Sequence, residues 1–202
     1  MRFRWEGQVC DLLGGLEREA DAGEVEAFYT RSPFPGYAPE DDGPRLLDRS
    51  RRSDFLRALD ESIPADARVL DVGCGTGQLS AFLALAGPGR EVFGLDGCRA
   101  SLDLADEFRD RVQARGLHFV RGDLFAMPFP PESFDVVVSR GVCHHTPDPT
   151  RAIEEITRPV RVGGGLVLGF YETAARLAHV LRRSLWRKSG ARGPLFDPVL
   201  RR

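Results

Sequence analysis

The sequence lacks the features that would build a metal site, a disulfide framework or a membrane span. Its four cysteines are scattered, without the C-x-x-C spacing of a zinc site. No apolar stretch approaches the length that a transmembrane helix requires, and Met1 to Glu6 lack the apolar run of a signal peptide. These absences predict a soluble, cytoplasmic protein with free thiols, no metal and no integral membrane association.

Charge is nearly balanced over the chain but unevenly distributed. The formal net charge is -2, which gives no general argument for a nucleic-acid or membrane partner. The segment 173–202 is strongly basic, with Asp197 as its one acidic residue, and Leu177, Leu181 and Leu185 recur at four-residue steps. This pattern predicts an amphipathic helix. Its basic face is either a solvated surface or a contact for a phosphorylated substrate, an anionic membrane surface or nucleic acid, but the aromatic spacing needed to stack bases is lacking.

The length and the 42% hydrophobic content fit one compact domain with a substantial core. Strands and helices are predicted to alternate, which indicates an α/β fold with a doubly wound, mainly parallel sheet. The predicted strands are Arg68–Val72, Glu91–Asp96, Leu117–Gly122, Phe134–Ser139 and Gly165–Tyr171. The predicted helices between them are Gln78–Ala86, Ala100–Arg115 and Pro149–Thr157.

The most distinctive motif is the D-x-G-x-G-x-G turn from Asp71 to Gly77, directly after the first predicted strand. Glycines allow a tight turn and a close approach of the backbone to a ligand, and the following helix offers unpaired amides to an anionic group. A dinucleotide-binding turn places glycine or alanine where this chain has Gln78. The spacing therefore favours a different nucleoside cofactor and disfavours a nicotinamide-dependent oxidoreductase.

Acidic residues end the next two predicted strands. Asp96 follows Gly77 by 19 residues, close to the spacing of a ribose-binding acid. Asp123 is placed to accept from an adenine amino group, and the fourth strand ends in the run from Ser139 to His145. Ligands of parallel sheets bind at this edge. Each aspartate also has an ordinary alternative, as a helix cap, a turn holder or a solvated loop residue.

Together, the glycine turn, the aspartate after it, the G-D-L step and the F-D-V-V-V-S strand resemble class I S-adenosylmethionine-dependent methyltransferases acting on small molecules, over Arg68 to Tyr171. The resemblance implies a Rossmann-like methyltransferase fold, S-adenosyl-L-methionine as cofactor and methyl transfer to a small-molecule acceptor. A noncatalytic S-adenosylmethionine-binding regulatory or partner subunit is the alternative. The cofactor-binding residues that it implies are Asp71, Gly73, Cys74, Gly75, Gly77, Asp96, Gly97, Asp123, Leu124 and Arg140.

Two histidines, His144 and His145, follow the fourth strand and are the candidates for a general base, because imidazole titrates near neutral pH. The alternative is that His145 only contacts the cofactor or packs in its loop. One segment departs from the family pattern, since Pro159 stands before the fifth strand and should end the preceding helix early.

Three segments are predicted: an N-terminal helical or loop arm or lid (1–50), the S-adenosylmethionine-binding α/β core (51–171), and a basic amphipathic helix and tail (172–202). Aromatic residues alternate with prolines in the arm. This arm either packs on the core or forms a lid over the cofactor, with Tyr29 or Tyr37 near it.

The family sheet normally ends in an antiparallel hairpin, and no convincing strand pair follows Tyr171. We therefore expect the hairpin to be lacking, either because the sequence is truncated or because a partner, such as a second copy in a homo-oligomer, covers the sheet edge.

Overall fold

A seven-stranded sheet forms the centre of the protein in the computed structural model, which describes residues 4–6, 9–13, 27, 30, 31 and 33–170. The strands are β1 (Arg4–Glu6), β2 (Val9–Asp11), β3 (Arg68–Val72), β4 (Glu91–Asp96), β5 (Leu117–Arg121), β6 (Phe134–Arg140) and β7 (Val160–Gly169). Their spatial order is β1-β2-β5-β4-β3-β6-β7. Strands β2 to β7 are parallel to their neighbours, and β1 runs antiparallel to β2. The strand order reverses at β3, so the crevice beyond its carboxyl end is where such sheets bind ligands.

Helices cover both faces of the sheet. They are α1 (Gly43–Arg51), α2 (Asp54–Ser62), α3 (Gln78–Ala86), α4 (Arg99–Val112) and α5 (Pro149–Thr157), with short 3₁₀ turns at Leu124–Ala126 and Cys143–His145. Alternating strand residues divide the core: Val69 and Val138 pack with α1 to α4, and Leu70 and Val137 pack with α5. This alternation is the period of two that a strand buried on both faces requires. The predicted doubly wound α/β class is confirmed.

The bounds of β3, β4, α3 and α5 agree with the prediction, and those of the other predicted elements differ at one end or both. Helix α4 ends at Val112, three residues early, because Gln113 has a left-handed φ of 55°. Strand β5 ends at Arg121 and β6 extends to Arg140. Helix α5 stops at Thr157, two residues before Pro159, as predicted.

Strand β7 begins at Val160, earlier than the predicted Gly165. Val160 pairs with Phe134, and the register then shifts before Val136 pairs with Gly165. Gly163, with a φ of 76°, lies between these two pairs. A glycine that looks like a strand boundary in the sequence is therefore an irregularity within one longer strand.

The N-terminal strands β1 and β2 were not predicted. Each has three residues, too few for a period of two to be visible. Strand β2 is held by pairing with β5, where Asp11 lies beside Arg121. The two side chains form an ion pair with 3.0 Å between Arg121 Nη1 and Asp11 Oδ2. Long-range pairing, which no local pattern encodes, creates this strand.

Several predictions fall on residues outside the described part of the chain. These are Tyr29, most of the arm between 14 and 32, and the basic tail 172–202, so the expected lack of a C-terminal hairpin also lies outside the described residues. Among the described residues, no helix is long and apolar enough to cross a membrane. That same part of the chain contains no cluster of His, Cys, Asp or Glu suited to a metal ion.

Candidate functional site

The carboxyl ends of the central strands are tied together by the backbone of the glycine turn, residues 73–77. The amides of Gly73 and Cys74 both donate to the carbonyl oxygen of Leu95, at 2.7 and 3.1 Å. The amide of Gly122 donates to the carbonyl of Asp96 at 3.0 Å. These bonds join the segments that follow β3, β4 and β5 into one edge, as the sequence predicts.

Asp96 lies against the glycine turn. Its Oδ2 accepts from the amide of Gly75 at 2.8 Å, and its Oδ1 accepts from the amide of Cys98 at 2.8 Å. The second bond confirms that Asp96 holds its own turn, and the first shows that it also holds the motif. Each carboxylate oxygen has two lone pairs, so an oriented carboxylate of this kind can accept further hydrogen bonds from hydroxyl groups.

Asp71 is buried beneath the turn, with 3% of its surface exposed. Its Oδ2 accepts from the hydroxyl of Ser80 on α3 at 2.6 Å. Burial raises the pKa of Asp71 to about 6, although the Ser80 hydrogen bond and the positive charge of Arg140 act in the opposite direction. A buried carboxylate at this edge makes the site favourable for a positively charged ligand.

The glycines of the turn are required by packing as well as by conformation. Gly73 has a φ of 73°, and a Cβ there would lie 2.2 Å from Cγ2 of Val142, in the loop after β6. Gly75 has a φ of 55°, and a Cβ there would lie 2.5 Å from the carbonyl oxygen of Phe34. L residues with side chains adopt such conformations rarely. The turn is therefore enclosed on two sides, by the β6 loop and by an N-terminal segment.

That N-terminal segment, residues 33–37, is bound to the glycine turn and is named here the clasp. The Thr76 hydroxyl donates to the carbonyl of Pro35, and Gln78 Nε2 donates to the carbonyl of Gly36 at 2.8 Å. The Tyr37 hydroxyl donates to the carbonyl of Thr76 at 2.7 Å. Part of the predicted arm therefore packs on the core directly beside the candidate cofactor site.

Tyr37 is the anchor of the clasp. Its ring stacks on Phe108 of α4, with 4.0 Å between centroids and 17° between planes. Burial raises the pKa of its hydroxyl above the ordinary value. The side chain of Tyr37 therefore packs on Phe108 and donates to the Thr76 carbonyl. A role of Tyr37 in a lid over the cofactor stays a prediction.

The predicted adenine-binding residues lie after β4 and β5. Asp123 caps the short 3₁₀ turn, because its Oδ1 accepts from the amide of Phe125 at 2.8 Å. Leu124 is half-buried in the same turn. Gly97 is half-buried after β4, and its carbonyl accepts from Arg121 Nε at 3.3 Å. Asp123 and Gly97 therefore have structural contacts where a nucleoside role is predicted.

The end of β6 brings the remaining predicted residues to the same edge. Ser139 donates to the carbonyl of Val72 at 3.0 Å, which connects β6 to the start of the glycine turn. The rings of His144 and His145 lie 4.1 Å apart between centroids, tilted by 47°. His144 is half-buried and His145 is exposed. Of the pair, His145 has the more accessible ring.

The cysteines of the site are not suited to nucleophilic chemistry. Cys74 and Cys143 are buried free thiols. Burial is the main cause of a raised pKa for both, and the carboxylates of Asp96 and Asp71 raise that of Cys74 further. A thiol held protonated is a poor nucleophile. Packing is therefore the role that these residues fill.

Two contributors to the site carry no signal in the local sequence. Phe55 on α2 lies under the guanidinium of Arg140, with 4.8 Å from Cζ to the ring centroid. The clasp reaches the glycine turn across about 40 residues of chain. The Pro and Tyr residues of the clasp mark an extended segment, but nothing local specifies its partner.

The carboxylates at this edge suit a cationic nucleoside. Asp96 and Asp123 present oriented carboxylates, and Asp71 supplies buried negative charge. Acceptors of this kind match ribose hydroxyls, an amino group and a positively charged centre. The arrangement agrees with the cofactor class that the glycine spacing predicts.

Comparison with known proteins identifies the same region. Residues 70–168 match the family described as methyltransferase domain. Demethylmenaquinone methyltransferase of Thermus thermophilus is 36% identical over 115 residues, which are 55% of this chain and 51% of that protein. Phthiotriol/phenolphthiotriol dimycocerosates methyltransferase of Mycobacterium leprae is 33% identical over 141 residues, which are 66% of this chain and 51% of that protein.

A solved structure of an S-adenosylmethionine-dependent methyltransferase from Aquifex aeolicus has the same fold. It matches with a TM-score of 0.50 and 20% identity, over 60% of this chain and 69% of that one. The chain spans about half the length of the two curated relatives described above.

Proposed function

Because this chain belongs to the class I S-adenosylmethionine-dependent methyltransferases, we propose that it transfers the methyl group of that cofactor to a small-molecule acceptor. The contact between the Gly75 amide and the Asp96 carboxylate carries the proposal. It joins the family's glycine turn to the acidic strand end that would hold the ribose. The dimensions of the acceptor and its reacting atom depend on loops that vary over a shared scaffold.

The predicted cofactor-binding residues other than Cys74 and Arg140 are assigned roles from their positions along the edge. Asp96 accepts from the ribose hydroxyls, with Gly97 beside it. Asp123 accepts from the adenine amino group, while the Leu124 amide donates to the ring. Gly73 to Gly77 give the methionine end a close approach to the backbone, and Asp71 supplies the negative charge beneath it.

The cofactor supplies an electrophilic methyl group bound to a sulfonium. The chain's own contribution is to orient the acceptor and to exclude water, because well-oriented reactions gain about 7 to 11 kcal/mol from proximity. The clasp and the β6 loop enclose the glycine turn on two sides. The two segments would therefore exclude water from the glycine turn on the sides that they enclose.

We assign the role of general base to His145, with His144 packed beside it. The exposed ring of His145 follows β6 and can take a proton from an acceptor that is protonated at rest. His145→Asn should lower turnover by about 10²-fold or more, as loss of a general base does, with a much smaller change in cofactor affinity. Equal losses in both would assign His145 to binding.

A titration followed by a transfer assay tests the proposed function. Calorimetry with S-adenosylmethionine should give binding that Asp96→Ala abolishes, whereas NAD should not bind. Incubation with methyl-labelled cofactor and a small-metabolite extract should then label a product. Cofactor binding without any labelled product would favour a noncatalytic regulatory or partner subunit. Binding of NAD alone would reject the proposal.

A further inference from the structure

Arg140, the last residue of β6, projects a guanidinium from the functional edge of the sheet. The side chain is exposed, and its Cζ lies 4.8 Å from the ring centroid of Phe55 on α2. Gly169 of β7 pairs with Arg140 in the sheet, and a Cβ there would lie 3.1 Å from Arg140 Cγ. A glycine on the neighbouring strand thus makes room for the aliphatic part of this arginine.

The ring of Phe55 lies against the guanidinium of Arg140, whose positive charge also acts on the buried carboxyl of Asp71. Arg121 ends β5 as Arg140 ends β6, and it forms an ion pair with Asp11. Among the described residues, no carboxylate forms an ion pair with Arg140, and the guanidinium lies over the ring of Phe55. A guanidinium stacked on a ring keeps its N–H groups in the plane, directed away from the ring. Such an edge is matched to the two oxygens of a carboxylate or phosphate.

Phe55 is suited to be a platform rather than a core residue. It is 45% exposed, one of the few large apolar side chains so exposed in the described structure. It lies in the first turn of α2, whose N-terminus is capped by Ser53 through a bond to the Leu56 amide. A capped helix end fixes the position of the ring, and with it the position of the guanidinium.

The position of Arg140 in the sheet separates it from the nucleoside. The ribose and adenine residues follow β4 and β5, on one side of β3, whereas β6 and β7 lie on the other side. Neighbouring strands are about 4.8 Å apart, so the end of β6 is about 10 Å from the end of β4. Arg140 would therefore stand on the methionine side of a bound cofactor, away from the ribose and adenine.

We propose that Arg140, supported by Phe55, is the recognition group for an anionic acceptor that carries a carboxylate or a phosphate monoester. The inference rests on the proposed methyl transfer and adds the chemical class of its acceptor. An anion bound here pairs with the guanidinium through its planar edge. It also offsets the repulsion between that guanidinium and the positive charge of the sulfonium.

Matched pairs of simple aromatic probes test this proposal. The full chain is saturated with S-adenosylhomocysteine, and binding of 4-hydroxybenzoate, 4-hydroxybenzamide, phenyl phosphate and phenol is measured by calorimetry or saturation-transfer NMR. At least one charged probe should bind tenfold or more tightly than its neutral counterpart. Which charged probe binds distinguishes a carboxylate acceptor from a phosphate acceptor. Equal binding within both pairs, or no binding of either charged probe, overturns the proposal.

Variants show whether Arg140 causes the preference for charged probes. Arg140→Gln should weaken the preferred charged probe by about tenfold or more, since a hydrogen bond to a charged group contributes about 1.5–3 kcal/mol, and should leave the neutral probe unchanged. Phe55→Leu should weaken the charged probe several-fold. Arg115→Gln is the matched control, because Arg115 is also exposed but precedes β5, at the opposite edge of the sheet. Equal effects of Arg140→Gln and Arg115→Gln contradict the assignment.

Titrations with and without S-adenosylhomocysteine distinguish an Arg140 that binds the acceptor from an Arg140 that binds the carboxylate of the cofactor. If charged probes bind the free protein but are displaced by S-adenosylhomocysteine, Arg140 pairs with the cofactor's own carboxylate, and the acceptor proposal is wrong. If S-adenosylhomocysteine itself does not bind, the proposed function fails. The probe titrations on the free protein then still decide whether Arg140 binds anions.

Discussion

The buried carboxylate of Asp71 should make the protein less stable as pH rises from about 4 to about 6. The pKa of Asp71 is raised from 3.8 to about 6, mainly by burial. A group with a raised pKa in the folded state binds its proton more tightly there than in the unfolded chain. The stability associated with the neutral form is complete below about pH 4 and is lost as pH rises through about 6.

Asp71→Asn keeps the shape of the side chain and removes this titration. One pKa unit corresponds to about 1.4 kcal/mol, so ionisation costs the folded protein about 3 kcal/mol at neutral pH. The free energy of unfolding of the Asn variant, relative to that of the wild type, should therefore increase by about 3 kcal/mol between pH 3 and pH 7.5.

Urea unfolding, followed by circular dichroism at several pH values, measures that difference. Asp66→Asn removes an exposed negative charge and controls for the general effect of charge. Ser80→Ala removes the hydrogen bond that stabilises the ionised form, so it should move the loss of stability to higher pH. A difference between Asp71→Asn and wild type that does not change with pH would refute the reasoning.

Asp71→Asn should lower the affinity for the cofactor, although it raises the free energy of unfolding at neutral pH. A positively charged ligand beside Asp71 stabilises its ionised form, so wild-type affinity for S-adenosylmethionine should rise through pH 6. In Asp71→Asn that increase should vanish and affinity at pH 7.5 should fall. The variant is thus expected to be more stable and to bind more weakly, which a general folding defect would not produce.

Three further substitutions follow from the packing. Gly75→Ala, with a φ of 55° and the clasp backbone 2.5 Å from its new methyl group, should lower the melting temperature and weaken cofactor binding tenfold or more in calorimetry. Tyr37→Phe loses the bond to the Thr76 carbonyl and should cost about 1 kcal/mol in urea unfolding. Arg90→Met leaves Asp60 without its partner in a site where the arginine is 5% exposed, and should cost about 3–5 kcal/mol. Losses below about 0.5 kcal/mol would contradict the last two.

The sequence was sufficient for the elements whose signals are local. Helix α3 is indicated by the glycine turn before it and by its apolar residues. Helix α5 is indicated by the N-cap residue Asp148 and by Pro149 at its first position. The predicted start of β7 at Gly165 was wrong, because the glycines at 163–165 lie within one longer strand and a glycine in a strand and a glycine in a turn are identical in sequence. Strand β2 was not predicted because it has only three residues and is stabilised by its pairing with β5, which no local pattern shows.

The candidate site divides in the same way. Asp71 and Asp96 could be predicted to lie at this edge because their distance from the glycines is a property of a single βαβ unit, and their role in cofactor binding stays a prediction. Phe55 was not found, because a half-exposed aromatic residue on a helix has no spacing that connects it to the end of β6. The residues predicted to bind the cofactor have a local spacing that the sequence shows, whereas the contact of Phe55 with Arg140 depends on the tertiary structure.

Gln78 is informative in the sequence and also makes a tertiary contact in the structure. Its side chain stands where a dinucleotide-binding turn would require a small residue, and this was the reason to prefer another cofactor. In the structure its Nε2 donates to the carbonyl of Gly36 and so holds the clasp on the glycine turn. A glycine here could not make this bond, and the clasp would lose one of its three hydrogen bonds to residues 76–78. The residue that distinguishes this turn from a dinucleotide-binding one also fixes the wall beside the cofactor site.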